Sequence, residues 1–538
     1  MADSGIHAIE LVLLLLLLFV VIFAVLAQKL KIPYPIVLLI AGLLLSFLPG
    51  VPSIRLNPDV VFLVVLPPLL YSAAWLTSWR EFRFNLVSIC MLAFGLVGFT
   101  VFGVARTAHW IFPGFDWKLG LVLGAVVATT DAIAATSIAK RIGLPKRIVD
   151  VLEGESLLND ATGLLALQFA TVMIVSGETP SVGKGFLELA YLTVAGLALG
   201  LVVALIVDWL ERRVEDGPIE ITISILVPYA AYLAAEAIHA SGVLAVVACG
   251  LYLSRKSSEF FSARVRIQAW AVWDSLSFVL NGLVFVVIGL QLPHVLAGIR
   301  GYSLRDLALY GVIFSALLIV LRLVWLYPGA YIAHQIRKRL LHQNVTRPSG
   351  RQIFVVGWTG MRGVVALAAA ISLPETLADG RPFPERDLII FLTFCVILVT
   401  LVLQGLTLPW VIKALGLAGI AAPDREEQEA RRQMVHAAMA HLARLRVREK
   451  DPDQFAEVYD DIEQHYRHQL VSLKDEEDNE EDAAHRAHHA RFRALSRDLL
   501  QVERSTLVRL RSEGLISDEV LRQIEHELDL GETKLSHS

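Results

Sequence analysis

The sequence predicts an all-α polytopic membrane protein of about thirteen transmembrane helices, with inverted repeats, two crossed discontinuous helices and a soluble helical C-terminal tail. Three observations predict this class. The 538 residues are 55% hydrophobic, and their mean hydropathy of +0.59 is outside the range of ordinary water-soluble domains. Of the 48 basic and 52 acidic side chains, 45 lie in the last 118 residues. The first 420 residues contain thirteen apolar runs.

Most of these runs are long enough to cross a bilayer, because roughly 20 residues rising about 1.5 Å each span a hydrocarbon core of about 30 Å. The ninth run is short and the eleventh is long, so the number is approximate. The expected spans are 7–28, 33–49, 58–77, 84–105, 117–139, 148–176, 185–210, 218–239, 241–254, 268–292, 305–334, 352–373 and 387–414.

The basic residues of the short loops predict the orientation, because cytoplasmic loops are enriched in Lys and Arg. One set of alternate loops holds 19 such residues and the other set holds 8. The N-terminus is therefore expected outside and the C-terminus in the cytoplasm, as an odd number of spans also requires. We expect a multi-pass protein of the plasma (inner) membrane, surrounded by lipid.

The composition changes near residue 420. We interpret residues 1–420 as a transmembrane domain with a formal charge of about +5, and residues 421–538 as a cytoplasmic helical regulatory tail with about −9. The tail is rich in helix-forming Glu, Arg and Ala, with apolar residues at helical spacing.

Several classes of function are disfavoured. The composition excludes a cytosolic enzyme, and a net charge of −4 provides no overall attraction to nucleic acid. Cys90, Cys249 and Cys395 lie in apolar runs without C-x-x-C spacing, so neither a disulfide framework nor a cysteine metal site is expected. The sequence has no P-loop motif to drive an ATP-dependent pump, and no cofactor is expected.

Acidic residues inside the fifth and sixth spans are the main functional candidates, because charge within a membrane is costly. Asp131 lies centrally in the fifth span, directly after Thr129 and Thr130. The sixth span contains Glu155 and Asp160. These two helices hold most of the acid expected within the membrane.

The sixth span places its polar residues on adjoining faces. Ser156 and Asp160 are four residues apart and share one face, and Glu155 and Asn159 share the next. Hard oxygen ligands suit a small alkali cation, and a buried carboxylate can also hold a proton. One site can therefore serve two competing ligands. The alternative is that Glu155 and Asp160 form buried ion pairs or cap a broken helix.

The twelfth span contains Arg362 among three glycines, which predict an interruption at mid-membrane. The fifth and twelfth spans are seven apart, as inverted repeats require, so two discontinuous helices are expected to face each other. Arg362 needs an anion, which Glu155 or Asp131 can provide. Arg322, in the eleventh span, is either a second core arginine or a side chain that snorkels to a helix end.

Three motifs in these spans resemble those of bacterial monovalent cation:proton antiporters of the NhaP type, which are related to the eukaryotic sodium/proton exchangers. The motifs are T-T-D-A (129–132), E-S-L-L-N-D-A-T-G (155–163) and G-W-T-G-M-R-G-V-V (357–365). They occur in the expected order and spans. The resemblance covers about residues 7–414. The tail resembles the family only in being a cytoplasmic extension of the kind that many members carry.

The resemblance implies roles for individual residues. Asp160 would bind cation and proton in turn, with Ser156, Thr130 and Asp131 lining the site. The transported sodium or potassium ion would be held by Asp160, Ser156 and Thr130.

Two further roles are implied by the family. Glu155 would form a structural ion pair with Arg362. Asn159, immediately before the carrier aspartate, implies electroneutral exchange.

The implied activity is secondary antiport of protons against sodium, with roles in pH and sodium homeostasis. The substrates would be protons and sodium, or potassium or lithium, and the protein would be a homodimer. A core bundle of spans four to six and eleven to thirteen would move to give alternating access. The alternatives are a potassium/proton antiporter with the same fold, a cation channel, and a membrane sensor whose tail binds a partner.

Overall fold

The structure is a computed structural model, and over the residues that it describes it is built from helices. The only β pairing there is an isolated bridge between Thr376 and Pro382. The described residues are 2–49, 56–112, 114–175, 182–299, 302–343, 345–377, 379–419, 425–448, 455–472 and 480–513, with isolated positions between 515 and 532.

The chain forms two compact units, Met1–Ala421 and Ala422–Ser538. The predicted domain boundary at residue 420 lies in 420–424, outside the described residues. In the second unit the described residues form three named helices, which are α20 (Arg425–Arg448), α21 (Ala456–Ser472) and α22 (Glu480–Ser512).

The first unit contains nineteen described α-helices. The first six are α1 (Ala2–Leu30), α2 (Tyr34–Leu45), α3 (Pro58–Val60), α4 (Leu66–Leu76), α5 (Trp79–Cys90) and α6 (Val97–Ile111). The next eight are α7 (Trp117–Ala128), α8 (Ile133–Ile142), α9 (Lys146–Val175), α10 (Val182–Glu211), α11 (Gly217–Ala237), α12 (Gly242–Phe260), α13 (Ala263–Leu290) and α14 (Leu292–Gly298). The last five are α15 (Leu304–Arg339), α16 (Gly350–Trp358), α17 (Val364–Ile371), α18 (Arg386–Val399) and α19 (Gly405–Ala414). Short π-helical segments join three pairs of these helices, at Val61–Val65, Met91–Leu96 and Thr400–Gln404.

The all-helical membrane class is confirmed. Each expected span coincides with a described helix or with consecutive helices, and ten such segments are long and apolar enough to cross a membrane. The three remaining expected spans coincide with α2, with α12 and with the pair α16 and α17, and they are not among these ten segments. The number of thirteen spans therefore stays a prediction.

Many apolar side chains on the outside of the first unit are exposed. Leu187 of α10 is 71% exposed and Trp410 of α19 is 72% exposed. Contiguous apolar surface on this scale is unfavourable in water and favourable against lipid. The outer helices therefore present their apolar faces to the bilayer.

Two helices are interrupted where the sequence predicts it. Residues 129–132 separate α7 from α8, and residues 359–363 separate α16 from α17. The backbone N–H of Asp131 donates to the carbonyl of Met361 at 2.8 Å, so the two interruptions meet. Each leaves backbone groups without helical partners, which in a membrane must be satisfied by protein or by water in a cavity.

Gly360 is required by close packing at this crossing. A Cβ added there would collide with Cδ and Nε of Arg322, a buried side chain that has no room to withdraw. We expect Gly360→Ala to destabilise the protein by about 1 to 3 kcal/mol, as overpacking does, and to lower its melting temperature in detergent. Gly98→Ala in α6 is the matched control, because no described atom lies within 4 Å of its added Cβ. Equal melting temperatures for the two variants would contradict the packing argument.

Candidate ion-binding site

Arg362 stabilises the ends of two half-helices. Its side chain is 3% exposed; Nε donates to the Val127 carbonyl at 2.8 Å, and Nη1 donates to the Gly360 carbonyl. These carbonyls lie at the C-terminal end of α7 and just beyond that of α16, where the helix dipole is negative and carbonyls lack helical partners. The helix ends therefore provide the negative potential that the arginine needs.

Asp131 lies at the opposite ends of the same pair of broken helices. Its Oδ1 accepts from the N–H of Ile133, the first residue of α8, at 2.8 Å. A Cβ added to Gly363, just before α17, would come within 2.5 Å of Oδ2 of Asp131. The carboxylate thus lies at two helix N-termini, where the dipole is positive. The charges of Asp131 and Arg362 together compensate the dipoles of the four helix ends at the crossing.

The predicted ion pair between Glu155 and Arg362 is wrong. Glu155 pairs with Arg322 of α15, with Nη1 to Oε1 at 2.5 Å and Nη2 to Oε2 at 2.9 Å, and each side chain is 2% exposed. Arg322 also donates to the carbonyl of Val356, in the last turn of α16. The reason is geometric, because α15 presents a guanidinium fork directly to α9 while Arg362 is directed to the helix ends. The interpretation of Arg322 as a second core arginine is confirmed.

Thr130 links this ion pair to the interruption. Its hydroxyl donates to Oε1 of Glu155 at 3.2 Å and accepts from Nδ2 of Asn159. Asn159 is 1% exposed, and its Oδ1 has no hydrogen-bond partner among the described residues. Asn159 donates a hydrogen bond to the Thr130 hydroxyl and therefore affects the site through Thr130.

The remaining predicted residues meet at a cavity of about 390 Å³ that reaches the crossing. Asp160, Asp131, Ser156 and Thr130 line this cavity, and Asn159 does not. Asn159 is one residue from Asp160 on a helix, so its side chain points about 100° away. The Ser156 hydroxyl donates to the Thr130 carbonyl at 3.0 Å, which leaves its oxygen able to accept a cation.

Asp160 is the buried carboxylate of this cavity, and it lacks a partner. It is 7% exposed, and its carboxylate makes no hydrogen bond or ion pair with any residue that the structure describes. A buried unpaired carboxylate is costly. Neutralisation by a bound cation or proton removes most of that cost.

The cavity also contains residues that the sequence reasoning missed or left without a role. Tyr34 of α2 and Asn281 and Asp274 of α13 line it. A lone Asn within an apolar span was the available signal for Asn281. Lys140 and Glu153, paired at 2.8 Å, lie at another part of the lining and are partly exposed.

The crossing and the cavity fall within the part of the chain that matches a known family. The model of that family, described as transmembrane sodium/hydrogen exchanger, matches residues 14–414. The chain belongs to this sodium/hydrogen exchanger family. The resemblance predicted from the three motifs is confirmed.

Relatives of this exchanger-family chain match over most of its length. It is 34% identical over 525 residues to an uncharacterized Na(+)/H(+) exchanger of Mycobacterium tuberculosis, covering 96% of this chain and 94% of the relative. It is 34% identical over 424 residues to a protein of Bacillus pumilus named a sodium, potassium, lithium and rubidium/H(+) antiporter, covering 76% and 62%.

The fold is shared with a solved structure. The sodium proton antiporter MjNhaP1 from Methanocaldococcus jannaschii at pH 8 matches with a TM-score of 0.57 and 20% identity, covering 76% of this chain and 99% of that one. This exchanger-family chain is therefore a multi-span membrane protein with the fold of that antiporter.

Proposed function

We propose that the chain is a secondary antiporter that exchanges protons for sodium ions by alternating access. One observation carries the proposal: the unpartnered carboxylate of Asp160 lies on a cavity at the crossing of two interrupted helices. Family membership supports sodium and protons as the substrates. The names of the relatives and of the solved structure agree with this choice.

The ion ligands we propose are oxygens of Asp160, Ser156 and Thr130. A carboxylate with hydroxyl oxygens suits an alkali cation. Asp131 lines the same cavity and adds negative charge, while its own position is held by the N-termini of α8 and α17. Asp131 is thus a fixed charge that attracts cations, and Asp160 is the group that exchanges them.

Coupling follows from competition for one carboxylate. Moving an empty, charged Asp160 through a low-dielectric barrier is costly, whereas the protonated or cation-bound form is neutral. Each crossing then carries either a cation or a proton. Asn159 contributes no second charge next to Asp160, which supports electroneutral exchange of one ion for one proton.

The Glu155–Arg322 pair is a structural element in this mechanism. It joins α9, which carries Asp160, to α15, and Arg322 also binds the end of α16. Thr130 ties α9 to the first interruption through Glu155. The carrier helix and both broken helices therefore move as one body.

We also propose the orientation given by the basic loops, with the N-terminus outside and the C-terminus in the cytoplasm of a plasma-membrane homodimer. Lys140 and Glu153 line the cavity beside the basic loop at residues 140–147. The cavity then opens to the cytoplasm, where it receives sodium for export. This direction serves pH and sodium homeostasis.

Potassium/proton exchange is the second candidate. The Bacillus pumilus relative carries both sodium and potassium in its name. Carboxylate and hydroxyl ligands alone do not separate the two ions, so potassium and lithium belong in the same assay. A cation channel or a membrane sensor has no supporting observation of comparable weight.

The experiment is proton efflux from acid-loaded everted vesicles, with sodium, lithium or potassium added in turn between pH 6 and pH 9. We expect sodium-dependent alkalinisation with saturable kinetics. Because proton and cation compete, the apparent KM for sodium is expected to rise as the pH falls, by up to about tenfold per pH unit where the proton dominates. A KM independent of pH, or flux that does not saturate, would contradict the shared site and favour a channel.

A further inference from the structure

A second cavity lies apart from the ion site, at the end of the first unit that carries basic loops. Its volume is about 250 Å³, and its walls come from α5, the π-helical segment Met91–Leu96, α9, α15, α16 and the segments before α9 and α16. We call it the arginine cavity, after Arg147 and Arg337, which line it. Neither residue has a role in the proposed exchange.

Arg337 of α15 is a buried cation without an anion. It is 2% exposed, and its Nη2 has no partner among the described residues. Its other nitrogens donate to neutral oxygens, with Nε to Oε1 of Gln343 at 2.8 Å and Nη1 at 3.4 Å to Oγ of Ser88. Such a group is costly unless an anion accepts its remaining hydrogen bond.

A second guanidinium adds to the positive charge. Arg147 and Arg337 both lie over the ring of Phe84, with Cζ at 5.8 Å and 4.5 Å from its centroid. Glu81 lies near enough to attract Arg147, but among the described residues it forms no ion pair with it. Two like charges at one ring therefore attract an anion, and phosphate is an anion that two arginines can bind together.

The remaining walls indicate which phosphate compound fits. They are mostly apolar, formed by Met91, Leu92, Val151, Leu326, Ala330 and Ile353, with Ser88, His334, Thr346 and Gln352 as the further polar residues. Phe84 itself is 38% exposed, and the exposed Tyr331 of α15 holds Arg347 over its ring at 5.5 Å. Exposed aromatic rings beside arginines are typical of the membrane interface, at the level of lipid headgroups.

We propose that the arginine cavity binds an anionic phospholipid. The headgroup phosphate accepts hydrogen bonds from Nη2 of Arg337 and from Arg147. An acyl chain lies along the wall formed by Leu92, Leu326 and Ile353. Since α16 is one half of an interrupted helix, the lipid is a ligand of the same bundle that holds the ion site.

The test uses the purified full-length chain in detergent, with its melting temperature measured against added phosphatidylglycerol, phosphatidylcholine or inorganic phosphate. A ligand that binds the folded state raises the melting temperature. We expect a saturable rise with phosphatidylglycerol only. Arg337→Gln and Arg147→Gln are expected to lose this rise, whereas Arg339→Gln, an exposed arginine two residues further along α15, retains it.

Arg337→Gln replaces a buried side chain, so misfolding alone is a rival explanation for a lost rise in that variant. A second variant therefore tests the cavity independently. Ala330→Phe fills the apolar wall without changing charge, and it is also expected to abolish the rise. An equal rise in Arg147→Gln, Ala330→Phe and Arg339→Gln would show a general detergent or charge effect and overturn the proposal. An equal rise with inorganic phosphate would identify a soluble anion as the ligand and overturn it as well.

Discussion

Replacing Asp160 with asparagine is expected to abolish cation-dependent proton movement. The amide cannot be protonated at physiological pH and carries no charge to compensate a cation. Losing the charge partner of a buried ion costs about 3 to 5 kcal/mol, which corresponds to a fall in cation affinity on the order of 10²- to 10⁴-fold. Everted vesicles with Asp160→Asn are expected to match vesicles that lack the protein.

Asp274→Asn is the matched control for this result. Asp274 lines the same cavity, but it is exposed, so water already solvates its charge. We expect its exchange rate to stay within about twofold of wild type, as for surface charges whose contributions are small. The size-exclusion profile of each purified variant shows whether it is folded.

The outcome that opposes the carrier assignment is a folded Asp160→Asn protein that still exchanges. Equal loss in Asp160→Asn and Asp274→Asn would instead assign the effect to the total charge of the cavity. Asp160→Glu is a third variant for this comparison, because it keeps the charge and lengthens the side chain by one methylene. Partial exchange by that variant would support a carboxylate that binds directly.

Arg322→Gln is expected to cause the second large effect, which is loss of folded protein. The change leaves Glu155 charged and buried, and among the described residues the Thr130 hydroxyl is then its one remaining donor. The cost of such an unpaired charge is about 3 to 5 kcal/mol. This is a large part of the 5 to 15 kcal/mol, roughly, that stabilises a typical domain. Arg305→Gln is the matched control on the same helix, because Arg305 is exposed.

The double variant Glu155→Gln with Arg322→Gln tests the pairing directly. Removing both charges is expected to restore much of the melting temperature lost in either single variant, since a double-mutant cycle isolates the interaction. Arg362→Gln combined with Glu155→Gln is expected to show no such recovery. Recovery in the second pair and none in the first would restore the pairing of Glu155 with Arg362.

The sequence alone was enough to predict where the helices lie and to single out Asp131 and Asp160, which line one cavity. Spanning segments must satisfy their backbone hydrogen bonds internally, so apolar runs of sufficient length predict helices without knowledge of packing. Polar residues and glycines inside such runs indicated the interruptions at 129–132 and 359–363. Ser156 and Asp160 share a face because of helix periodicity, which is a local property.

Only the tertiary structure decided which charges pair. Arg322 and Arg362 are both buried arginines, and their spacing from Glu155 along the chain does not distinguish them. The choice depends on how α15 packs against α9, and on the helix ends that Arg362 reaches. Likewise, Arg147 and Arg337 are 190 residues apart and share one ring only because their helices meet. Periodicity acts within a helix, whereas ion pairs and cavities depend on distances between helices, which no local pattern specifies.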